Sequence, residues 1–297
     1  MALNNLEFAT KFASELDKMI VQKAVTGFFA DNLLRAKFVG AKTVIIPDID
    51  FVGLTDYDRD NGFSKGKMTV AHTSYELTQD RARSLQIDRE DMDETGIANL
   101  AGQVMGEYVR TKVVPEMDAY TLSKLAGIAS TKSNTKTLDT SKAYAQFVEL
   151  VNGVQGKAGF DTEMVAFVNP AVYAAFMNST ELQKHITVSD FKQGEVNLKV
   201  KKINDVVVIP VADDRMKTEY EDDSVNGGIK ATSTAKDIGI LVLPKTAASL
   251  VKKSEKIRVF EPETNQDADA YKFDYRVYYD VFVKKSNLDF IAAAIGN

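Results

Sequence analysis

The sequence predicts an α+β fold in which a long polar hairpin precedes one long helix and a region of alternating short helices and strands. Three patterns carry that expectation. Residues 41 to 88 have strand texture split by a polar, glycine-bearing stretch. Residues 92 to 128 keep a helical apolar period, and residues 141 to 284 switch repeatedly between the two periods.

Leu6 to Asn32 reads as a helix, because Phe8, Phe12, Leu16, Met19 and Ile20 recur at three- and four-residue steps. Such a stripe needs another surface to lie on, in the same core or on another chain. Lys42 to Pro47 opens the outgoing arm of the hairpin, which continues through Ile49, Phe51 and Val52. A return arm begins near Met68 and runs through Tyr75, Leu77, Leu85 and Ile87. The tip, Asp56 to Lys67, is polar and charged, and its Asn61-Gly62 is a strong turn signal. Two strands alone are marginal in water, so a hairpin this polar is expected to lean on something external.

Met92 to Ile128 reads as one long helix, with Ile97, Leu100, Val104, Met105, Tyr108, Val113, Met117, Tyr120, Leu125 and Ile128 in period. Pro115 lies inside it, so a bend or break is expected just before that residue. Ser130 to Lys136 is a polar connector and the clearest boundary in the chain. Beyond it, Ser141 to Val154 is helical, with Tyr144, Phe147 and Val151 on one face, and Met164 to Val168 is a short buried strand. Asn169-Pro170 starts a helix, since asparagine caps well and proline suits the first helical position. Val196 to Val211 supplies two strands about a turn at Asn204-Asp205. Ile238 to Leu243 is a further strand, and Thr246 to Val251 a short helix. Lys256 to Phe260 and Tyr271 to Lys284 are strands flanking the acidic loop Glu261 to Asp269, and no fixed-period repeat is present.

With 44% apolar and 27% charged residues, 297 residues can bury a large core in one big domain or two intimately joined ones. The absence of cysteine removes disulfides and thiolate metal ligation, leaving packing and assembly as sources of stability. Acids and bases are mixed along the chain at a net charge of −5, unlike a nucleic-acid-binding domain with clustered Lys and Arg. No apolar run reaches membrane-span length and no basic leader precedes Leu3-Asn4-Asn5, so a soluble chain made in the cytosol is expected.

Motifs that would carry chemistry all fall short. Asp56-x-Asp58-x-Asp60 starts like a calcium loop, but Asn61 stands at the sixth position and Lys67 at the twelfth, where glycine and glutamate are required. Gly62 to Met68 is one residue short of a phosphate-binding loop, and Met68 replaces the hydroxyl that would hold magnesium. His72 and His185 are the only histidines and have no nucleophile motif or zinc set around them. Asp213-Asp214 and Glu221-Asp222-Asp223 read as solvated loop carboxylates, with Asp222 to Gly228 as a flexible loop. No catalytic, cofactor or metal residue is therefore assigned.

Four stretches carry a family likeness. They are Tyr75-Glu76-Leu77-Thr78-Gln79-Asp80-Arg81 with Ile87-Asp88, Val113-Val114-Pro115-Glu116-Met117-Asp118-Ala119-Tyr120, Val168-Asn169-Pro170, and Arg276-Val277-Tyr278-Tyr279-Asp280-Val281-Phe282-Val283. Their order and spacing resemble the Hong Kong 97-type major capsid proteins of tailed bacteriophages, specifically the short coat proteins of phages of Gram-positive bacteria. The resemblance implies an N-terminal arm at 1–40, an extended loop (the hairpin) at 41–90, a peripheral domain at 91–130 plus 255–297 whose spine is the long helix, and an axial domain at 131–254.

It also implies a structural protein rather than an enzyme. Pentamers and hexamers would form an icosahedral head around double-stranded DNA without sequence-specific contacts, assembled in the host bacterial cytoplasm. With only about forty residues before the hairpin, a separate scaffolding protein is expected, beside a portal protein and decoration proteins; no membrane partner is. At the hairpin tip Asp56, Asp58 and Asp60 stand on one side and Lys65 and Lys67 on the other, a charge split suited to setting register at an inter-subunit contact. Some relatives crosslink a loop lysine to a neighbour's asparagine, but no motif carries that chemistry to Lys65 or Lys67. The alternative within the fold is an encapsulin-like compartment shell, and outside it an enzyme or ligand-binding module, which would need a convergent polar site.

Overall fold

A computed structural model describes residues 24–30, 32, 37–39, 42–57, 59, 62–63, 65–90, 101–179, 186–193 and 196–296. In chain order the first strands are β1 (Lys37–Val39), β2 (Thr43–Phe51), β3 (Met68–Glu76) and β4 (Gln79–Asp88). Helix α1 (Ala101–Tyr108) runs through a π-helical turn (Val109–Val113) into α2 (Val114–Thr131). Next come β5 (Thr135–Thr137), α3 (Ala143–Ala158), β6 (Met164–Val168), α4 (Pro170–Asn178), β7 (Ile186–Gln193), β8 (Val196–Ile203) and β9 (Val206–Pro210). The chain finishes with β10 (Tyr220–Asp222), β11 (Ile229–Ala231), β12 (Ile238–Pro244), β13 (Ala248–Phe260), β14 (Ala270–Val283) and β15 (Ala292–Ile295).

Seven strands form one mixed sheet in the order β5-β15-β12-β6-β9-β8-β7. Its central strands are apolar throughout because both faces are covered. Val165, Phe167, Leu241 and Leu243 pack towards α2 with Met117, Leu122 and Leu125. Met164, Ala166, Val168, Ile240 and Val242 face α3 and α4 with Phe147, Leu150 and Phe176. A register shift between Ile238 and Ile240 sends these two side chains into opposite cores. Gly239 sits in that shift, and a Cβ there would come within 2.5 Å of the Leu138 methyls. Asn169 caps α4 as expected, its Oδ1 accepting from the Val172 amide at 2.9 Å.

A second sheet, β13-β14-β4, lies against α2. The period of β14 divides its side chains: Phe273, Tyr275, Val277 and Tyr279 pack into the α2 core, while Tyr278 and Phe282 on the other face meet Val44, Ile46, Leu77 and Val251. Strands β1, β2 and β3 form the third sheet, the hairpin.

Several expectations need correction. Of the Leu6–Asn32 helix, residues 1–23 lie outside the described residues, and Gly27–Ala30 is a single 3-10 turn. Of the Met92 to Ile128 helix, residues 92–100 lie outside the described residues; from Ala101 the helical reading holds, and the expected break before Pro115 is the π-helical turn Val109–Val113, after which the helix resumes. Proline has no N–H and its ring crowds the carbonyl four residues back, so the ladder widens locally, with the Val114 amide reaching Val109 O. The return arm is two strands, since β3 pairs with β2 whereas β4 crosses to β14. The connector at Ser130 to Lys136 contains the end of α2 and the start of β5, which pairs with β15. Thr246 to Val251 contains no helix. Ala248 begins β13, where pairing with Val283 and its neighbours overrides a short apolar run that periodicity alone cannot assign. Finally, the supposed flexible loop at Asp222 to Gly228 is the turn of the β10–β11 hairpin.

Candidate interaction site at the hairpin root

The hairpin carries most of the exposed large apolar side chains among the described residues: Phe38, Val39, Val52, Leu54, Tyr57, Phe63, Met68 and Val70. Phe63 is 89% exposed and its ring meets that of Tyr57 edge-on, centroids 5.2 Å apart. An apolar set exposed along a ribbon beyond its buried root marks an interaction surface.

The root of the hairpin is held far more firmly than its tip. Asp280 on β14 is fully buried and accepts from Thr78 N (3.0 Å), Thr78 Oγ1 (2.9 Å) and Tyr120 Oη (2.8 Å), while Lys124 on α2 closes an ion pair. Tyr278 Oη donates to Leu77 O at 3.1 Å, and Tyr75 Oη to Val283 O at 3.3 Å. These contacts clamp the two-residue joint between β3 and β4 to both the strand and the long helix.

A second buried carboxylate, Asp118 on α2, anchors the segment at 24–30. It accepts from Val25 N (3.1 Å), Thr26 N (3.0 Å) and Thr26 Oγ1 (2.6 Å), and Arg215 Nη1 reaches it at 3.2 Å. Burial pushes its carboxyl above the usual carboxylate range, against the pull of the Thr26 hydroxyl and amide, the Val25 amide and Arg215. Asp118→Ala is expected to lose about 3–5 kcal/mol in urea unfolding, because the guanidinium and two amides are left without an acceptor. Asp118→Asn should lose less, its amide oxygen still accepting. Equal stability of all three proteins would remove this anchor.

Arg81 on β4 makes a third junction. Its Nε meets Glu116 of α2 at 2.6 Å, its Nη1 meets Asp222 of β10 at 2.5 Å, and its Nη2 donates to Gly228 O at 3.1 Å. The turn beside it needs glycine: Gly227 and Gly228 have φ of +74° and +86°, and a Cβ on Gly227 would lie 3.0 Å from Arg83 Nη1. A groove of about 870 Å³ runs along this junction, with Tyr279 at its wall; burial holds that phenol well above its ordinary range.

No family model matches the chain, and no curated protein matches it in sequence. Solved structures do match its fold. The capsid of cyanophage P-SCSP1u is similar at TM-score 0.59 and 14% identity, covering 88% of this chain and 85% of that one. The mature capsid of bacteriophage PhiM1 is similar at 0.54 and 13%, covering 86% and 82%. A virus-like particle from Pyrococcus furiosus is similar at 0.52 and 10%, covering 97% and 99%. The fold is the Hong Kong 97-type capsid fold.

Three of the four stretches that carried the Hong Kong 97-type likeness meet at the hairpin root. Tyr75 to Arg81, Glu116 to Tyr120 and Arg276 to Phe282 supply the contacts just described. The tip residues fare differently. Asp56, Lys65 and Lys67 are exposed, and among the described residues no ion pair joins them; Asp58 and Asp60 lie outside the described residues. His72 is exposed on β3, and His185 lies outside the described residues. Asp222 is exposed, as expected, and also pairs with Arg81. Sequence reasoning quoted Asp118, Asp280 and Arg81 without giving them roles. The available signal was a carboxylate inside an otherwise apolar helix face or strand, such as Tyr278-Tyr279-Asp280-Val281-Phe282. Among the described residues no helix is long and apolar enough to cross a membrane.

Proposed function

We propose that this chain is a major capsid protein of a tailed bacteriophage, a structural subunit rather than an enzyme. The observation that carries the reading is a Hong Kong 97-type fold whose hairpin, beyond its buried root, holds exposed apolar side chains among the described residues. Burying Val52, Leu54, Phe63, Met68 and Val70 on a neighbour would contribute about 1.5–3 kcal/mol for each side chain fully covered. An exposed ion pair contributes only ~0.2–1 kcal/mol. Apolar contact therefore supplies cohesion, and the tip charges Asp56, Asp58, Asp60, Lys65 and Lys67 select register between subunits.

In this reading residues 1–40 are the arm, 41–90 the extended loop, 91–130 with 255–297 the peripheral domain, and 131–254 the axial domain at capsomer centres. Pentamers and hexamers close an icosahedral head in the bacterial cytoplasm and enclose double-stranded DNA without sequence-specific contacts. A separate scaffolding protein, a portal and decoration proteins complete the set of partners.

The encapsulin-like shell is the second reading, favoured by the likeness to the Pyrococcus furiosus particle over nearly the full length of both chains. Negative-stain electron microscopy of the protein alone and with a candidate scaffold separates the two. Scaffold-dependent shells, tubes or rings are the expected result. Closed shells without scaffold would favour the compartment, and a monomer under every condition would defeat both.

A further inference from the structure

The groove beside the Arg81 junction is walled by β4, β14, the long helix around its π-helical turn, and the segment that carries β10 and β11. Most acceptors in that wall are already taken. Glu116 and Asp222 hold Arg81, Asp80 holds Arg276, and Asp223 accepts from the amides of Val225 and Asn226 in its own turn. Asp214 is the one carboxylate of the wall without a donor among the described residues. The donors differ. Lys217 pairs with Asp237, Lys230 with Glu221, and one Nη of Arg215 with Asp118. Arg83 and Lys112, both exposed, have no ion pair among the described residues. Two more donors are buried with no partner at all: Arg215 Nε, and the hydroxyl of Tyr279, a residue only 1% exposed. The backbone makes room for one of these groups. Gly227 lacks the Cβ that would lie 3.0 Å from Arg83 Nη1, so the guanidinium rests directly against the turn.

The groups left unmatched in this wall are therefore donors, two of them cationic at the surface and two buried, against a single carboxylate. They fit an anion rich in acceptor oxygens. A carboxylate offers two, whereas a phosphate group offers three and accepts a guanidinium in bidentate fashion. We infer that the groove binds a phosphate-bearing ligand, with Arg83 and Lys112 holding the phosphate and Tyr279 and Arg215 supplying the buried donors of the wall. Burial holds the Tyr279 phenol well above its ordinary range, so it remains a donor at neutral pH. At about 870 Å³ the groove is far larger than a single phosphate and lies within the roughly 300–1,000 Å³ of small-molecule sites. Its ligand accordingly carries several phosphates or an organic body. A free polyphosphate and the backbone of a nucleic acid present the same group. Binding of this kind needs only the folded subunit, whether or not that subunit closes shells.

Isothermal titration calorimetry of the full chain with inorganic pyrophosphate, and separately with a short DNA duplex, tests the site and tells the two sources apart. Arg83→Met/Lys112→Met removes both exposed cations, Tyr279→Phe removes only the hydroxyl, and Asp214→Asn removes the unpaired carboxylate. Circular dichroism confirms that each variant is folded. Pyrophosphate is expected to bind the wild-type chain with a Kd of about 1 mM or tighter. The double variant should bind at least about tenfold more weakly, Tyr279→Phe about threefold more weakly, and Asp214→Asn more tightly. Lys253→Met/Lys256→Met, which changes two lysines outside the groove, should bind as the wild type does. Binding of the duplex but not of pyrophosphate, lost in Arg83→Met/Lys112→Met, would support the site and make nucleic acid the source of the phosphate. A wild-type chain that binds neither probe would overturn the inference. So would a folded Arg83→Met/Lys112→Met protein that binds either probe with wild-type affinity.

Discussion

Asp280→Ala is expected to destabilise the chain by about 3–5 kcal/mol and to loosen the hairpin where it leaves the core. Asp280 is fully buried, and five donors point at it: the Thr78 amide and hydroxyl, the Tyr120 hydroxyl, the Lys124 ammonium and the Val281 amide. Alanine removes the common acceptor and leaves those groups partly buried without one, which costs more than the net worth of the bonds. The loss should appear in the urea midpoint, and a protease should cut first at Leu77-Thr78, the joint between β3 and β4. Adding Lys124→Met should return part of the stability, since it removes the orphaned cation with little change in length. A wild-type midpoint for Asp280→Ala, or no coupling between the two changes, would mean that the root is held by packing alone.

Deleting Asp56 to Lys67 and closing the arms with Asn-Gly should have the largest effect on function and almost none on folding. Among the described residues of the deleted stretch, Tyr57 and Phe63 pack on each other, and the side chains are exposed or nearly so. Surface changes of this kind shift stability by no more than about 0.5 kcal/mol. The subunit should therefore stay folded and soluble while closed shells disappear from micrographs. Normal shells from the deletion would show that the tip makes no inter-subunit contact worth counting, and would move the search to the arm at 24–30 and the sheet edges.

Much of this architecture was legible before any coordinates. Met164 to Val168, Asn169-Pro170 and the Asn204-Asp205 turn matched their elements, because strand runs, caps and two-residue turns are set by neighbours in sequence. The turn's positive φ at both positions, +50° and +62°, is what Asn and Asp tolerate best. The hairpin was equally plain from its two extended runs and polar tip.

Other features depended on which edges met. Thr246 to Val251 became the start of β13 only because β14 offered a partner along its whole length. The return arm split at Leu77-Thr78 because β3 belongs to the hairpin and β4 to the sheet under the long helix. Asp222 stays solvent-exposed as expected, but the ion pair from Arg81 across the junction was not legible in the sequence.

Local periodicity and turn chemistry thus determined most of the elements and the hairpin, since each depends on residues a few positions apart, while the likeness rested on the order and spacing of four stretches along the chain. Tertiary structure alone decided strand pairing and turned Asp118 and Asp280 from unremarked carboxylates into the anchors of the arm and the hairpin. The physical reason is separation: a buried charge is tolerable only with partners around it, and Thr78 lies 202 positions from Asp280.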